Sequence, residues 1–145
     1  MPPVTGSLPS RGDVLEVQVQ TPRGSFWKRD DEGRRTLCSP FPVPFNYGFV
    51  PGWVSDDGDQ LDALLLGARI ARGGRRQAHV LAVAAFRDQG LADPKVILAA
   101  EPRSRLRAWE TKTLELFFHL YGGIKRVLRP GKPSRFEGWA VPPDP

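Results

Sequence analysis

Residues 56–62 read Asp-Asp-Gly-Asp-Gln-Leu-Asp and run directly into Ala63, Leu64, Leu65 and Leu66. Carboxylates packed this closely repel one another, yet they open onto an apolar run that has to be buried. A chain with this junction must set an acidic loop at the edge of a folded core, which is how a hard divalent cation is held. Taken alone, the same residues read more commonly as an acidic surface turn, because Asp-Gly is a turn dipeptide. An EF-hand loop is excluded. Counted from Asp57, the fifth position is Leu61, the sixth is Asp62 where a Gly is needed, and the twelfth is Ala68 where a bidentate Glu is needed. A cation site here has to be completed by carboxylates from elsewhere in the chain.

At 145 residues the chain can bury one core and is too short for two ordinary domains. Four Trp and eight Phe favour a globular protein over a disordered one. A formal charge of +5 invites an anionic ligand or nucleic acid, but the basic residues are scattered. They fall at Arg72/Arg75/Arg76, Arg103/Arg105/Arg107 and Lys125/Arg126/Arg129/Lys132/Arg135, and read as a solvated surface. The lone Cys38 permits no intrachain disulfide and reads as a small structural residue. No basic flank leads into an apolar run at the N-terminus, and no stretch approaches the ~18 apolar residues of a membrane span. A cytoplasmic protein is expected.

Residues 1–13 are expected to be an irregular lead-in and 140–145 an irregular tail, around a single domain over 14–139. From Val14, apolar and polar residues alternate as in a half-buried strand, ended by Pro22 and Gly24. Residues 26–30 and 34–38 flank the turn Asp31-Glu32-Gly33. Residues 39–53 carry Pro40, Pro42, Pro44 and Pro51 among several aromatics, so a rigid packed loop is expected in place of a central strand. Residues 63–66, 78–86 and 96–100 read as buried strands, with Asp88 and Asp93 bracketing a polar hairpin between the last two. His79 has no His or Cys near it in sequence and reads as structural. Leu106, Trp109, Thr113, Leu116, Phe117 and Leu120 recur at helical spacing, with Glu110, Lys112 and Glu115 toward solvent. Ser104 suits the cap of that helix and Gly122-Gly123 its stop. The basic, Pro-punctuated segment after it reads as a tail.

Two acidic loops end apolar strands, Lys95 follows the second by two residues, and Pro44-Phe45-Asn46-Tyr47-Gly48 precedes Asp57-Gly58-Asp59-Gln60-Leu61-Asp62. Together these resemble the soluble inorganic pyrophosphatases of family I, whose hallmarks are Pro-x-Asn-Tyr-Gly and Asp-Gly-Asp-Pro-x-Asp. The resemblance runs from Gln18 to Trp139. It implies a mainly β fold, an OB-like five-stranded closed β-barrel with one long C-terminal amphipathic helix packed on it. It also implies metal-dependent hydrolysis of inorganic pyrophosphate to two phosphates.

Carried over by position, Asp57, Asp62 and Asp93 match the ligands of the tighter activating metal, and Asp62 also a partner of the second ion. Asp88 with Asp93 matches the pair that holds a metal arriving with substrate. Asp59 matches the general base on the attacking water. Lys28, Arg35, Tyr47, Lys95 and Tyr121 match phosphate contacts, and Asp30 stands where the family usually has a Glu; as a shorter carboxylate it is expected to bind metal through water. The implied cofactor is Mg²⁺, two or more ions, with Mn²⁺ as an alternative; the implied assembly is a homo-oligomer. The chemistry fits this set, because pyrophosphate repels an attacking hydroxide unless cations neutralise its oxygens.

Four positions depart from the family: Gln20 replaces a Glu, Val43 a Tyr, Gln60 a Pro and Gly122 a phosphate-binding Lys. Gln60 is expected to loosen the acidic turn, and Lys125 or Arg126 to substitute for the missing Lys. The metal half is complete and the phosphate half is thinned. Two other readings stay open: a hydrolase of another small phosphoanhydride, and a weak nucleic-acid- or anion-binding barrel, for which Trp27 beside Lys28 is the best stacking candidate.

Overall fold

The computed structural model describes residues 4–5, 8–29, 35–38, 42–54, 58–88, 90–103, 105–128 and 134–143, with backbone alone at 4–5, 27–29, 35–38 and 125–128. The elements are β1 (Val4–Thr5), β2 (Val14–Thr21), β3 (Trp27–Arg29), β4 (Arg35–Cys38), β5 (Asn46–Val54), β6 (Gln60–Leu66), β7 (Arg75–Asp88), β8 (Leu91–Ala92), β9 (Lys95–Ala99), α1 (Ala108–Leu128) and β10 (Ser134–Val141). Strand β5 pairs with β2, β2 with β7, β7 with β9, β9 with β6, and β6 returns to β5, so five strands close into a barrel. Four of these ladders are antiparallel; β6 and β9 run parallel. Of the two strands expected over 26–30 and 34–38, Trp27–Arg29 and Arg35–Cys38 pair antiparallel as a separate sheet, and the expected turn at 31–33 lies outside the described residues.

Alternation along the strands sorts their side chains into two apolar layers. Val17, Val19, Leu61, Ala63, Leu65, Val96 and Leu98 point into the barrel. Leu64, Leu66, Ile97 and Ala99 point out, against α1. A register shift between Val80 and Ala82 lets β7 serve both layers: Ala78, Val80 and Val83 fill the barrel while Leu81, Ala82, Ala84 and Phe86 face the helix.

The expected loop at 39–53 is a strand over its second half. Pro42 and Pro44 precede β5, and Pro51 lies where the β5–β6 register shifts between Phe49 and Val54, so neither ladder relies on the N–H it lacks. Gly48 is the close-approach residue, since a Cβ there would run into the Gln18 carbonyl oxygen of β2. Two terminal segments are also more regular than expected. Val4–Thr5 pairs parallel with Trp53 and Val54, and the expected tail forms β10 on β7. The alternation of β10 is broken at Gly138, which has φ 96° and sits in a bulge.

The helix turns a different face to the core from the one its apolar spacing suggests. Leu114, Phe117, Phe118 and Tyr121 are buried, whereas Trp109, Leu116 and Leu120 are 61%, 60% and 41% exposed. Glu110, expected in solvent, is buried because Arg103 forks onto it at 2.7 and 2.8 Å and the Arg107 N–H donates to it at 2.8 Å. That last bond is half of a capping box. Nor does the helix stop at Gly122-Gly123. Gly122 is buried against β10, where a Cβ would lie 3.2 Å from both Arg135 Cα and the Ser134 carbonyl oxygen, and the helix continues to Leu128. Ser104 lies outside the described residues.

Gly48→Ala is expected to lower unfolding free energy by about 2–3 kcal/mol, because the Gln18 carbonyl and not a flexible side chain must move. Gly122→Ala, with contacts of 3.2 Å and a helical site that favours Ala by about 1 kcal/mol, is expected to cost less. Urea denaturation measures both. The Arg103 fork holds Glu110 below its ordinary value of 4.5 despite the burial that opposes it. Its stabilisation is therefore present above pH 4.5 and lost as pH falls through the lowered value. Glu110→Gln is expected to cost about 1.5–3 kcal/mol at pH 7. Denaturation at a series of pH values should show that difference closing in acid.

Candidate metal and phosphate site

The parallel β6–β9 ladder sets Asp62 opposite Lys95. Lys95 opens a strand whose five residues are all buried, and its own side chain is 1% exposed. A buried ammonium must find anionic partners. It finds two, donating to Asp62 Oδ2 at 2.5 Å and to Asp93 Oδ2 at 2.7 Å. Asp93 is itself buried and anchored through its N–H to the Phe86 carbonyl at 2.8 Å. Above the ammonium lie the rings of Tyr47 at 5.8 Å and Phe86 at 5.4 Å. Tyr121 joins from α1, its ring 5.7 Å from both Phe86 and Phe117.

Burial alone would lower the Lys95 pKa, but Asp62, Tyr47 and Asp93 outweigh it and hold the ammonium well above its ordinary value. Burial foremost, then Asp62, pushes the Tyr47 phenol well up against the opposing pull of Lys95. At neutral pH the cluster is a fixed cation between two carboxylates under a neutral phenol.

Of the residues expected in the site, Asp62, Asp93, Lys95, Tyr47 and Tyr121 are brought together. Asp59 is exposed, just ahead of β6. Asp88 is drawn toward β10, where Ser134 Oγ donates to it at 2.9 Å. Ser134, 1% exposed, was not singled out in the sequence; the signal for it is the alternation of Arg135 and Glu137 with Phe136. Asp30 and Asp57 lie outside the described residues, as do the side chains of Lys28, Arg35, Lys125 and Arg126. Gln60 Oε1 accepts from the Gly52 N–H at 3.1 Å, tying β5 to β6; residues 55–57 of the turn it was expected to loosen lie outside the described residues. Asn46 is fully buried and structural.

Among the described residues no three His, Cys, Asp or Glu cluster as a metal site. The donor set nevertheless suits a hard cation. Two carboxylates from separate segments against one ammonium leave a negative excess, and carboxylate oxygens supplemented by water are what Mg²⁺ prefers.

A family model for inorganic pyrophosphatase matches residues 17–128. The chain belongs to the inorganic pyrophosphatase family. An inorganic pyrophosphatase of Neisseria meningitidis is 34% identical to it over 134 residues, 80% of this chain and 76% of that protein. One from Sulfolobus acidocaldarius is 29% identical over 149 residues, 88% and 82% of the two chains. Among solved structures, the inorganic pyrophosphatase of Thermus thermophilus superposes with a TM-score of 0.74 at 26% identity, covering 93% of this chain and 88% of that one. The barrel and helix expected from the sequence are thus the fold of this pyrophosphatase family.

Replacing Lys95 with Met strands two carboxylates beside each other. Lys95→Met is expected to destabilise the metal-free protein by about 3 kcal/mol. Added Mg²⁺ should then raise its melting temperature more than it raises that of the wild type, as thermal denaturation with and without the ion would show.

Proposed function

We propose that this chain hydrolyses inorganic pyrophosphate to two phosphates with Asp59 as general base, and that residues 14–139 form the one unit that does so. The observation that carries the proposal is the Asp62–Lys95–Asp93 cluster under Tyr47, in a chain that belongs to the inorganic pyrophosphatase family.

Asp57, Asp62 and Asp93 are assigned to divalent cations, Mg²⁺ first and Mn²⁺ as the alternative. Asp88 and Asp93 are assigned to an ion that enters with substrate, and Asp30 to an outer contact through water. When bound, such cations neutralise phosphate oxygens and lower the pKa of a water.

The chain's own groups do the rest. Asp59 takes the proton of the attacking water as its oxygen bonds to one phosphorus and the bond to the bridging oxygen breaks. Being exposed, Asp59 can then return that proton to solvent. Lys95 keeps its proton at neutral pH and so supplies positive charge toward the phosphates without acting as an acid. Tyr47 stays a phenol and can only donate a hydrogen bond to a phosphate oxygen. Tyr121, stacked on Phe117 at 15°, is held for the same purpose. Lys28 and Arg35 on β3 and β4 are assigned to the remaining oxygens.

The exposed Trp109, Leu116 and Leu120 on α1 are the surface assigned to contact between copies of the chain. The lone Cys38 fits a reducing compartment, and we place the protein in the cytoplasm; among the described residues no helix is long and apolar enough to cross a membrane.

Phosphate release from pyrophosphate is expected to require Mg²⁺ or Mn²⁺. Asp59→Ala should lower kcat by about 10²–10⁴-fold. Asp62→Ala should do the same and also raise the metal concentration needed. Equal rates for wild type and both variants would overturn the proposal.

A further inference from the structure

A second built site lies at the other end of β6. Asn46 uses its whole side-chain amide to staple two loops together. Its Oδ1 accepts from the N–H groups of Arg23 at 3.0 Å and Ile70 at 2.9 Å, and its Nδ2 donates to the carbonyls of Leu65 at 3.2 Å and Ala68 at 2.9 Å. Two arginines clasp the same loops crosswise. Arg23 donates to the Gly67 carbonyl and Arg69 to the Arg23 carbonyl, each at 2.8 Å. Gly24 lies beneath the Arg69 guanidinium, which a Cβ on Gly24 would meet at 3.6 Å.

Between the loops is a cleft of about 600 Å³, lined by Pro22, Ser25, Arg69, Ala71 and Arg72. That volume is within the range of small-molecule sites. Among the described residues the lining carries two guanidinium cations and one hydroxyl, and none that is acidic. The bonds that fix Arg23 and Arg69 go to backbone carbonyls, so they hold the guanidinium groups in place without neutralising them. A planar guanidinium fork matches the oxygens of a phosphate, and a fork already held loses little freedom on binding.

We propose that this cleft binds a phosphate-bearing small molecule through Arg69 and Arg72, with Ser25 and the charge of Arg23 in support. It is separate from the Lys95 cluster. Asp62 is at the start of β6 and Gly67 just past its end, five residues or roughly 17 Å of strand away. Asn46, which builds the cleft, and Tyr47, which belongs to the cluster, are neighbours on β5 whose side chains leave opposite faces of the strand.

The test follows amide chemical shifts of ¹⁵N-labelled protein during titration with ATP or tripolyphosphate, without metal and at low salt. Both probes carry the phosphate chain; equal affinity would assign the site to that chain alone, and tighter ATP binding would add the nucleoside to it. The expected result is saturable shifts at Gly24, Ser25, Ala71 and Gly73. Affinity should fall tenfold or more in both variants, Arg69→Ala/Arg72→Ala and Arg72→Glu, which change only exposed positions. Shifts confined to Tyr47, Asp93 and Lys95, affinity unchanged in both variants, or no shift with either probe would each overturn the proposal. None of these readouts depends on pyrophosphate hydrolysis.

Discussion

Asp62 and Asp93 come from separate segments and would repel one another at close range if the Lys95 ammonium did not lie between them, 2.5 and 2.7 Å from the two carboxylates. Its position is a matter of register. Lys95 faces Asp62 because β6 and β9 run parallel, with Ala63 on Val96 and Leu64 on Ile97 continuing the ladder. A slip of one residue would turn Lys95 away from Asp62 and leave that carboxylate uncompensated. The apolar pattern resists that slip, since Val96 and Leu98 fill the barrel while Ile97 and Ala99 meet the helix. The charge cluster and the hydrophobic core therefore fix the same register.

The helix completes the cluster from outside the barrel. Phe117 meets Phe45 edge-on at 4.7 Å and stacks on Tyr121, while Phe118 stacks on Phe136 at 5.2 Å. These contacts tie α1 at once to β5, which carries Tyr47, and to β10, which carries Ser134 against Asp88. Aromatic pairs of this kind contribute about 0.5–1.5 kcal/mol each beyond the area they bury. Rings that stabilise the fold thus also set where Tyr121 and Asp88 lie.

Much of this was legible in the chain. Alternation from Val14 and the apolar runs after Asp62 and Asp93 mark barrel strands, and two of the acids at strand ends, Asp62 and Asp93, meet at Lys95. The misreadings have common causes. Period-two alternation at β10 is interrupted by the bulge at Gly138, so a strand looked like a tail. The helix face was assigned by counting apolar residues, which placed Trp109, Leu116 and Leu120 inside and Glu110 outside; a carboxylate held by a bidentate arginine is buried at low cost. Prolines at 39–53 argue against a strand, but of the described ones only Pro51 falls within one, and it does so at an irregularity. No local pattern shows that Lys95 lies between Asp62 and Asp93, because that depends on pairing between distant strands.

Two of the family departures take on meaning from the packing. Gly122 stands where a phosphate-binding Lys is expected, and here it is the point at which α1 approaches β10, with Arg135 Cα and the Ser134 carbonyl oxygen at the distance of a Cβ. A longer residue at 122 would push the helix outward and disturb Ser134, which holds Asp88. What stands at 122 is therefore coupled, through the helix packing, to Ser134 and Asp88. Gln60 lacks the stiffness of a Pro, but its side chain bonds the Gly52 N–H and ties β5 to β6. Around the arrangement of Asp62 and Asp93 on Lys95, Gln60 thus contributes a hydrogen bond between two strands and Gly122 a close approach of helix to strand.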